Sequence, residues 1–382
     1  LATTNLLILA DWFYPGFKGG GPIRSTVNLA LALQNQVNVR VLTSDTDFGE
    51  EVPYSYIAPN SWSDAFHSNI PVYYLSSDHV SLQHLRVLLN EAKPDVIYLN
   101  SMFSVPFTIW PLWLQWRGHY KGKIVLAPRG MLHKGALQYK KSKKQVFLRL
   151  IKLSGLHRHI HFHATDGQEA ADIQRVFGSK AMVQVIPNLP SPVTQNVSPI
   201  SKTAGVANLV FISRIQAKKN LLFLLQCLQQ VSGLVTLNVY GSFENAAYQQ
   251  QCKDLAATLP AGIVVLWHGP INHNEVLSVL SQNHFFVLPT FGENFGHAIF
   301  EAFAAGRPVL ISDQTPWKAL QQSGIGYNVP LNQPKQWMRI LNQTVTMDQQ
   351  AFDQLCTNAH RYALEYQNKS GSVPQYEELF TA

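Results

Sequence analysis

Charge is scarce in this chain of 382 residues: Asp, Glu, Lys and Arg make up 14%, against 46% hydrophobic residues. That balance excludes a disordered chain and supplies enough apolar surface for large cores. Cysteine is nearly absent. Cys227, Cys252 and Cys356 are too few and too scattered for a disulfide framework or a thiolate zinc site, and a reducing compartment is expected. The longest apolar runs, such as Leu6–Ala10 and Phe285–Pro289, fall far short of the roughly 20 residues of a membrane span. The first residues carry no basic region followed by an apolar stretch and a cleavage site, so no secretory signal is expected. No repeat recurs at a fixed period. The length itself suggests two domains, at roughly 100–200 residues each.

What is present alternates. Strand-length apolar runs (Asn5–Ala10, Val37–Thr43, Val72–Leu75, Val96–Asn100, Lys123–Ala127) are separated by helix-length segments. Runs without strict alternation suit parallel strands covered on both faces. The rhythm breaks at Ile186-Pro187-Asn188-Leu189-Pro190-Ser191-Pro192, a stretch that opposes a helix and reads as a linker. A second series then begins at Leu209–Ser213 and continues through Leu234–Gly241, Ile263–Trp267, Phe285–Pro289 and Pro308–Ser312. The expectation is an α/β protein of two doubly wound lobes facing a cleft. They would span 1–188 and 206–362, joined by a linker at 189–205. A C-terminal helix at 363–382 would return to the first lobe.

Three segments carry candidate chemistry. In Pro289-Thr290-Phe291-Gly292-Glu293-Asn294-Phe295-Gly296-His297-Ala298-Ile299-Phe300-Glu301 a strand ends, a glycine-containing loop follows and a helix starts. Free N–H groups at a helix start favour a phosphate. Two carboxylates beside a phosphate would repel it unless they bind neutral donors, and sugar hydroxyls are such donors. The alternative is a surface loop before an ordinary helix. In Phe211-Ile212-Ser213-Arg214-Ile215-Gln216-Ala217-Lys218-Lys219-Asn220 a strand delivers Arg214 to the sheet edge where ligands bind, and Lys219 opens the next helix. Two cations there could neutralise a leaving diphosphate; the alternative is solvated surface charge. Tyr14-Pro15-Gly16-Phe17-Lys18-Gly19-Gly20-Gly21-Pro22-Ile23-Arg24-Ser25 is no dinucleotide fingerprint, because Pro22 and Arg24 occupy its middle. Its glycines allow either close backbone approach to a ligand or a merely flexible hairpin. Asp45-Thr46-Asp47 spells a metal-binding Asp-x-Asp, but it follows the second strand of a two-lobed chain and reads as a solvated loop.

Together, in this order and placement, the three segments resemble the retaining glycosyltransferases of family four (glycosyl transferases group 1), which have the GT-B fold of two Rossmann-like lobes. Gly20-Gly21 stand in for that family's glycine pair, Arg214 and Lys219 match its Arg/Lys spacing, and Glu293 and Glu301 match its Glu-x7-Glu. The resemblance implies a nucleotide-sugar donor bound by the second lobe. Glu293 would hold donor-sugar hydroxyls, Glu301 the ribose, and Asn294, Phe295, Gly296 and His297 would present backbone N–H groups to sugar and diphosphate. It implies same-face substitution assisted by Arg214 and Lys219, with no cofactor and no metal required. The base would sit near Trp267-His268-Gly269. Two positions depart from the pattern. Asn220 replaces a glycine that often follows the Lys, and Arg129 stands where a His contacting the sugar is expected, with His133 one turn on.

Acidic residues are missing between Asp95 and Asp166, a stretch that holds twelve Lys and Arg from Arg117 to Arg158. Those twelve exceed the chain's +7, leaving −5 for the rest. Within it, Leu137–Leu153 mixes Lys140, Lys141, Lys143 and Lys144 with Val146, Phe147, Leu148, Leu150, Ile151 and Leu153. A basic amphipathic helix reads as membrane-surface binding; alternatively the apolar residues are core and the lysines solvated. The expected partners are a nucleotide-sugar donor, a glycan or lipid-linked acceptor and an anionic membrane surface, with no nucleic acid. The expected place is the cytoplasm, at the inner face of the plasma membrane, in bacterial cell-surface polysaccharide or lipopolysaccharide synthesis. The rivals are another GT-B enzyme (a nucleotide-sugar epimerase or a sugar phosphorylase) and a two-lobed solute-binding protein.

Overall fold

The computed structural model describes residues 4–133, 137, 141–195, 197–369 and 372–381. Lys134 and Lys140 of the acid-free stretch lie outside them. The chain forms two compact units, Leu1–Leu189 with Gly371–Ala382, and Pro190–Ser370.

The first unit runs β1 (Asn5–Leu9), α1 (Gly21–Leu33), β2 (Asn38–Ser44), β3 (Trp62–His67), β4 (Ile70–Leu75), α2 (Leu82–Ala92) and β5 (Val96–Leu99). It continues through α3 (Trp110–Trp116), β6 (Lys123–Leu126), α4 (Lys141–Leu153), β7 (Ile160–Ala164), α5 (Gly167–Phe177) and β8 (Met182–Val185). The strand order is β3-β4-β2-β1-β5-β6-β7-β8, and only β3 is antiparallel to its neighbour. β1 shows why such strands read as unbroken apolar runs. Leu6 and Ile8 join one core with Ile23, Val27 and Leu33 of α1, while Leu7 and Leu9 join another with Leu85 and Leu88 of α2 and Ile151 of α4. Both faces of the sheet are thus covered.

The second unit runs β9 (Val206–Ile212), α6 (Leu221–Leu228), β10 (Leu234–Tyr240), α7 (Ala246–Ala257), β11 (Ile263–Gly269), α8 (His273–Ser281) and β12 (Phe285–Leu288). It ends with α9 (His297–Ala304), β13 (Val309–Ser312), β14 (Gly326–Val329), α10 (Pro334–Thr346) and α11 (Gln349–Lys369). Its six strands are parallel in the order β11-β10-β9-β12-β13-β14. Both units are doubly wound Rossmann-like sheets, as expected.

The C-terminus differs from the expected single returning helix. α11 stays in the second unit, where Phe352, Ala359 and Ala363 are buried in its core. α12 (Ser372–Thr381) alone rejoins the first unit, through Tyr376, Leu379 and Phe380.

Candidate active site

In the second unit, the two cation- and carboxylate-bearing loops are stitched together at the carboxyl end of the sheet. The Lys218 carbonyl accepts from the Phe291 N–H at 2.8 Å and from the Thr290 hydroxyl at 3.3 Å. The Lys219 ammonium forms an ion pair with Glu293, and the two side chains are only 16% and 12% exposed. So Lys219 is not a solvated surface charge. Arg214 pairs instead with Glu244 at 3.0 Å, both partly exposed.

Gly296, at φ 78°, turns the chain into α9, and no side chain caps this helix. First-turn N–H groups without a side-chain cap are the usual anion-binding arrangement. The loop backbone is fixed from behind. Phe295 is buried against Trp317 with ring centroids 5.2 Å apart, the Trp317 indole N–H donates to the Phe295 carbonyl, and His297 is buried beside Phe295. Asn294 and Gly296 stay partly exposed. Glu301, one turn on from His297, is buried. It accepts from the Ser191 hydroxyl at 3.1 Å and lies 3.6 Å from His273 Nδ1. Near the expected base position, His268 stacks on Tyr240 with centroids 4.3 Å apart, and its Nε2 lies 2.8 Å from Asn238 Oδ1.

In the first unit, the glycine-rich segment is neither a flexible hairpin nor free-standing. Asp47 Oδ2 accepts from the N–H groups of Phe17 and Lys18 at 2.9 and 3.1 Å, and its Oδ1 accepts from Phe48 N–H at 2.7 Å. Gly20 takes φ 69° as the N-cap of α1, and Gly21 is the first helical residue. Asp45 and Asp47 are both buried, which corrects the reading of Asp45-Thr46-Asp47 as a solvated loop. Their burial was not legible from the residues; what points to it is the position after β2, beside the glycine loop.

Arg129 is wired into the first unit's interior. Its Nε donates to Asn100 Oδ1 at 2.6 Å, its Nη2 to the Tyr98 hydroxyl at 2.8 Å, and its Nη1 to Asn188. Three of its five N–H donors are thereby used. The Tyr98 hydroxyl in turn meets His163 Nδ1 at 2.8 Å, and His163 Nε2 faces the Ile186 carbonyl at 2.8 Å. This geometry fits a neutral ring protonated on Nε2. Burial and the nearby Arg129 charge push the His163 pKa down to about 3. His133 is held 2.6 Å from Asp172. Among the described residues, no three His, Cys, Asp or Glu side chains are gathered as metal ligands.

The basic helix α4 has two apolar faces. Leu148 and Ile151 are buried in the core. Val146, Leu150 and Leu153 point the other way and are 55%, 59% and 85% exposed. Exposed Lys143, Arg149 and Lys152 accompany them, while Lys144 lies over the Phe103 ring at 5.1 Å. The apolar residues of this helix thus divide between the core and an exposed face that carries Lys143, Arg149 and Lys152. Among the described residues, no helix is long and apolar enough to cross a membrane.

Two family profiles match the chain: "Glycosyltransferase Family 4" over residues 19–189 and "Glycosyl transferases group 1" over residues 207–346. The chain belongs to the family-four, group 1 glycosyltransferases. Solved structures share the GT-B fold. HepE of Anabaena, in complex with UDP and glucose, is 16% identical with a TM-score of 0.69, covering 99% of each chain. Sucrose-phosphate synthase from Thermosynechococcus elongatus is 16% identical with a TM-score of 0.70, covering 99% of this chain and 98% of its own. WaaG, a glycosyltransferase involved in lipopolysaccharide biosynthesis, is 14% identical with a TM-score of 0.66, covering 99% of this chain and all of its own. No curated protein matches the sequence. Asn220, the departure from this glycosyltransferase family's usual glycine, has φ 62° and ψ 36°. That left-handed backbone favours glycine, and asparagine is among the few other residues that tolerate it.

Proposed function

We propose that this glycosyltransferase moves a sugar from a nucleoside diphosphate sugar to a hydroxyl of a glycan or lipid-linked acceptor, with retention of configuration and without a metal. The observation that carries the reading is the Lys219–Glu293 pair at the loop that leads into the uncapped start of α9. A diphosphate entering there meets Lys219, the N–H groups of the first turn and the partial positive charge of the helix end. Glu293 and Glu301 are then acceptors for sugar and ribose hydroxyls. Arg214 and Lys219 stabilise the charge that develops on the leaving diphosphate.

In the same-face substitution that this assignment supports, the bond from the anomeric carbon to the diphosphate oxygen breaks. The bond to the acceptor oxygen forms on the same side, and the acceptor's proton passes to a diphosphate oxygen. The protein contributes positioning and electrostatics. The UDP complex of HepE makes uridine donors the first to try, and the likeness to WaaG supports a role in cell-surface polysaccharide or lipopolysaccharide synthesis. The outward apolar face of α4 with its cations supports attachment to an anionic leaflet. A nucleotide donor and such a leaflet meet at the cytoplasmic face.

Melting-temperature measurements across UDP-, GDP-, ADP- and dTDP-sugars test the donor. One nucleotide series should raise it while free sugars do not. The anomeric configuration of the product, read by NMR, tests retention; an inverted product refutes it.

A further inference from the structure

The carboxyl edge of the first unit's sheet holds a carboxylate that the assignments above leave unused. β1 lies between β2 and β5, and the chain turns outward to β2 before returning on the other side to β5. This is the switch point at which open α/β sheets bind ligands. Asp11 follows β1, and Ser101 and Ser104 follow β5. The Ser104 hydroxyl donates to Asp11 Oδ1 at 2.6 Å and accepts from the Phe107 N–H at 3.3 Å, so it is fixed from both sides. Ser101, whose hydroxyl donates to Met131 Sδ at 3.8 Å, lies beside the carboxyl and, like Ser104, favours its charged form. Asn100, beside them, is held by Arg129 and itself reaches the Pro22 carbonyl at 3.3 Å in the first turn of α1.

Asp11 is thus a partly exposed carboxyl that takes a hydrogen bond from the Ser104 hydroxyl. Burial keeps it above the usual carboxylate range despite both serines. A carboxylate offers only lone pairs, and one pre-oriented by a neutral hydroxyl at a ligand edge is suited to take another. Resting on the glycosyl-transfer reading, we propose that Asp11 is an acceptor-binding residue, taking a hydrogen bond from a sugar or polyol hydroxyl of the acceptor. Were Asp11 only a structural support for Ser104, its loss would alter stability and not ligand affinity.

A donor-free binding experiment separates these roles and is independent of turnover. The probe is octyl β-glucoside below its micellar concentration, which carries sugar hydroxyls on a lipid-like tail. Its affinity is read by saturation-transfer NMR for wild type, Asp11→Asn and Ser104→Ala. Asp11→Asn should weaken binding at least about tenfold, the scale of a charge-assisted hydrogen bond. Ser104→Ala, which keeps the carboxylate but frees it, should weaken binding about threefold, the scale of a neutral hydrogen bond. Both should retain the rise in melting temperature that UDP gives the wild type. A wild type that ignores the glucoside, or an Asp11→Asn protein that binds it equally well, overturns the proposal. Should Asp11→Asn not fold, Asp11→Glu moves the carboxylate by one methylene, and unchanged affinity there overturns it as well. If no nucleotide shifts the melting temperature, the donor reading fails, and the glucoside titration still decides the role of Asp11.

Discussion

Removing Lys219 should damage stability and chemistry by separable amounts. Its ion pair with Glu293 is largely enclosed, with side chains 16% and 12% exposed. Breaking a fully buried pair by deleting one partner costs about 3–5 kcal/mol, and an exposed pair contributes at most about 1 kcal/mol. For this intermediate burial we expect Lys219→Met to cost about 2 kcal/mol. In a unit of this size that lowers the melting temperature by about 4–8 °C. Glu293→Gln should cost a similar amount, by leaving the ammonium unpaired. The double variant should be less destabilised than the sum of the two, because it leaves no orphaned charge. Turnover behaves differently. Loss of one transition-state charge donor costs about 10²-fold or more, and the double variant should not regain it. Calorimetry of the four proteins, with nucleotide release as the activity readout, checks both halves. Additive stability losses would show that the pair is not coupled, and near-normal turnover of Lys219→Met would refute the diphosphate role.

Glu301→Gln should raise the KM for the donor more than it lowers kcat, because ribose contacts are the same in ground and transition states; an unchanged KM would reverse the roles of the two carboxylates. Asn220→Ile should destabilise the second unit by about 1–2 kcal/mol, since a β-branched residue is strained at φ 62°, whereas Asn220→Gly should be close to neutral in thermal unfolding. On anionic vesicles, Lys143→Gln with Arg149→Gln should remove about 2 kcal/mol of salt-sensitive attraction. Leu150→Gln with Leu153→Gln should remove a salt-resistant part of about 2–4 kcal/mol, and sedimentation at low and high salt distinguishes the two. Below pH 6.5 the unfolded chain protonates His163 while the native chain, at a pKa of about 3, does not. Stability should therefore fall by up to about 1.4 kcal/mol per pH unit as pH drops from 6.5 toward 3. His163→Gln should flatten the slope by one proton's worth in denaturant titrations.

Strands with unbroken apolar runs were legible because parallel strands bury both faces. β1 and β12 stand within a residue of their expected ends, and β9 starts three residues earlier than expected. β7 was not, because His161 and His163 interrupt Ile-His-Phe-His-Ala; His163 is buried there by bonding Tyr98 and Ile186, which its type does not announce. β3, with Ser63 and Asp64, is a largely solvated edge with no apolar run to detect. The Glu-x7-Glu and Arg/Lys spacings point to two loops that the second unit brings together. The sequence could not show that Lys219 and Glu293 meet while Arg214 turns to Glu244, because those partners are 74 and 30 residues apart. Asp11 escaped notice for the same reason: its serine partner lies some 90 residues away.

The path of the chain bears on how the protein is made. α12 supplies Tyr376, Leu379 and Phe380 to a core whose other members come from the first 189 residues. During synthesis the second unit can therefore be completed as soon as its own residues emerge. The first, although translated earlier, must wait with an apolar layer uncovered until these late residues arrive. Its nascent form is the stage at which a chaperone would find exposed surface, and a chain truncated before residue 372 would leave that layer uncovered.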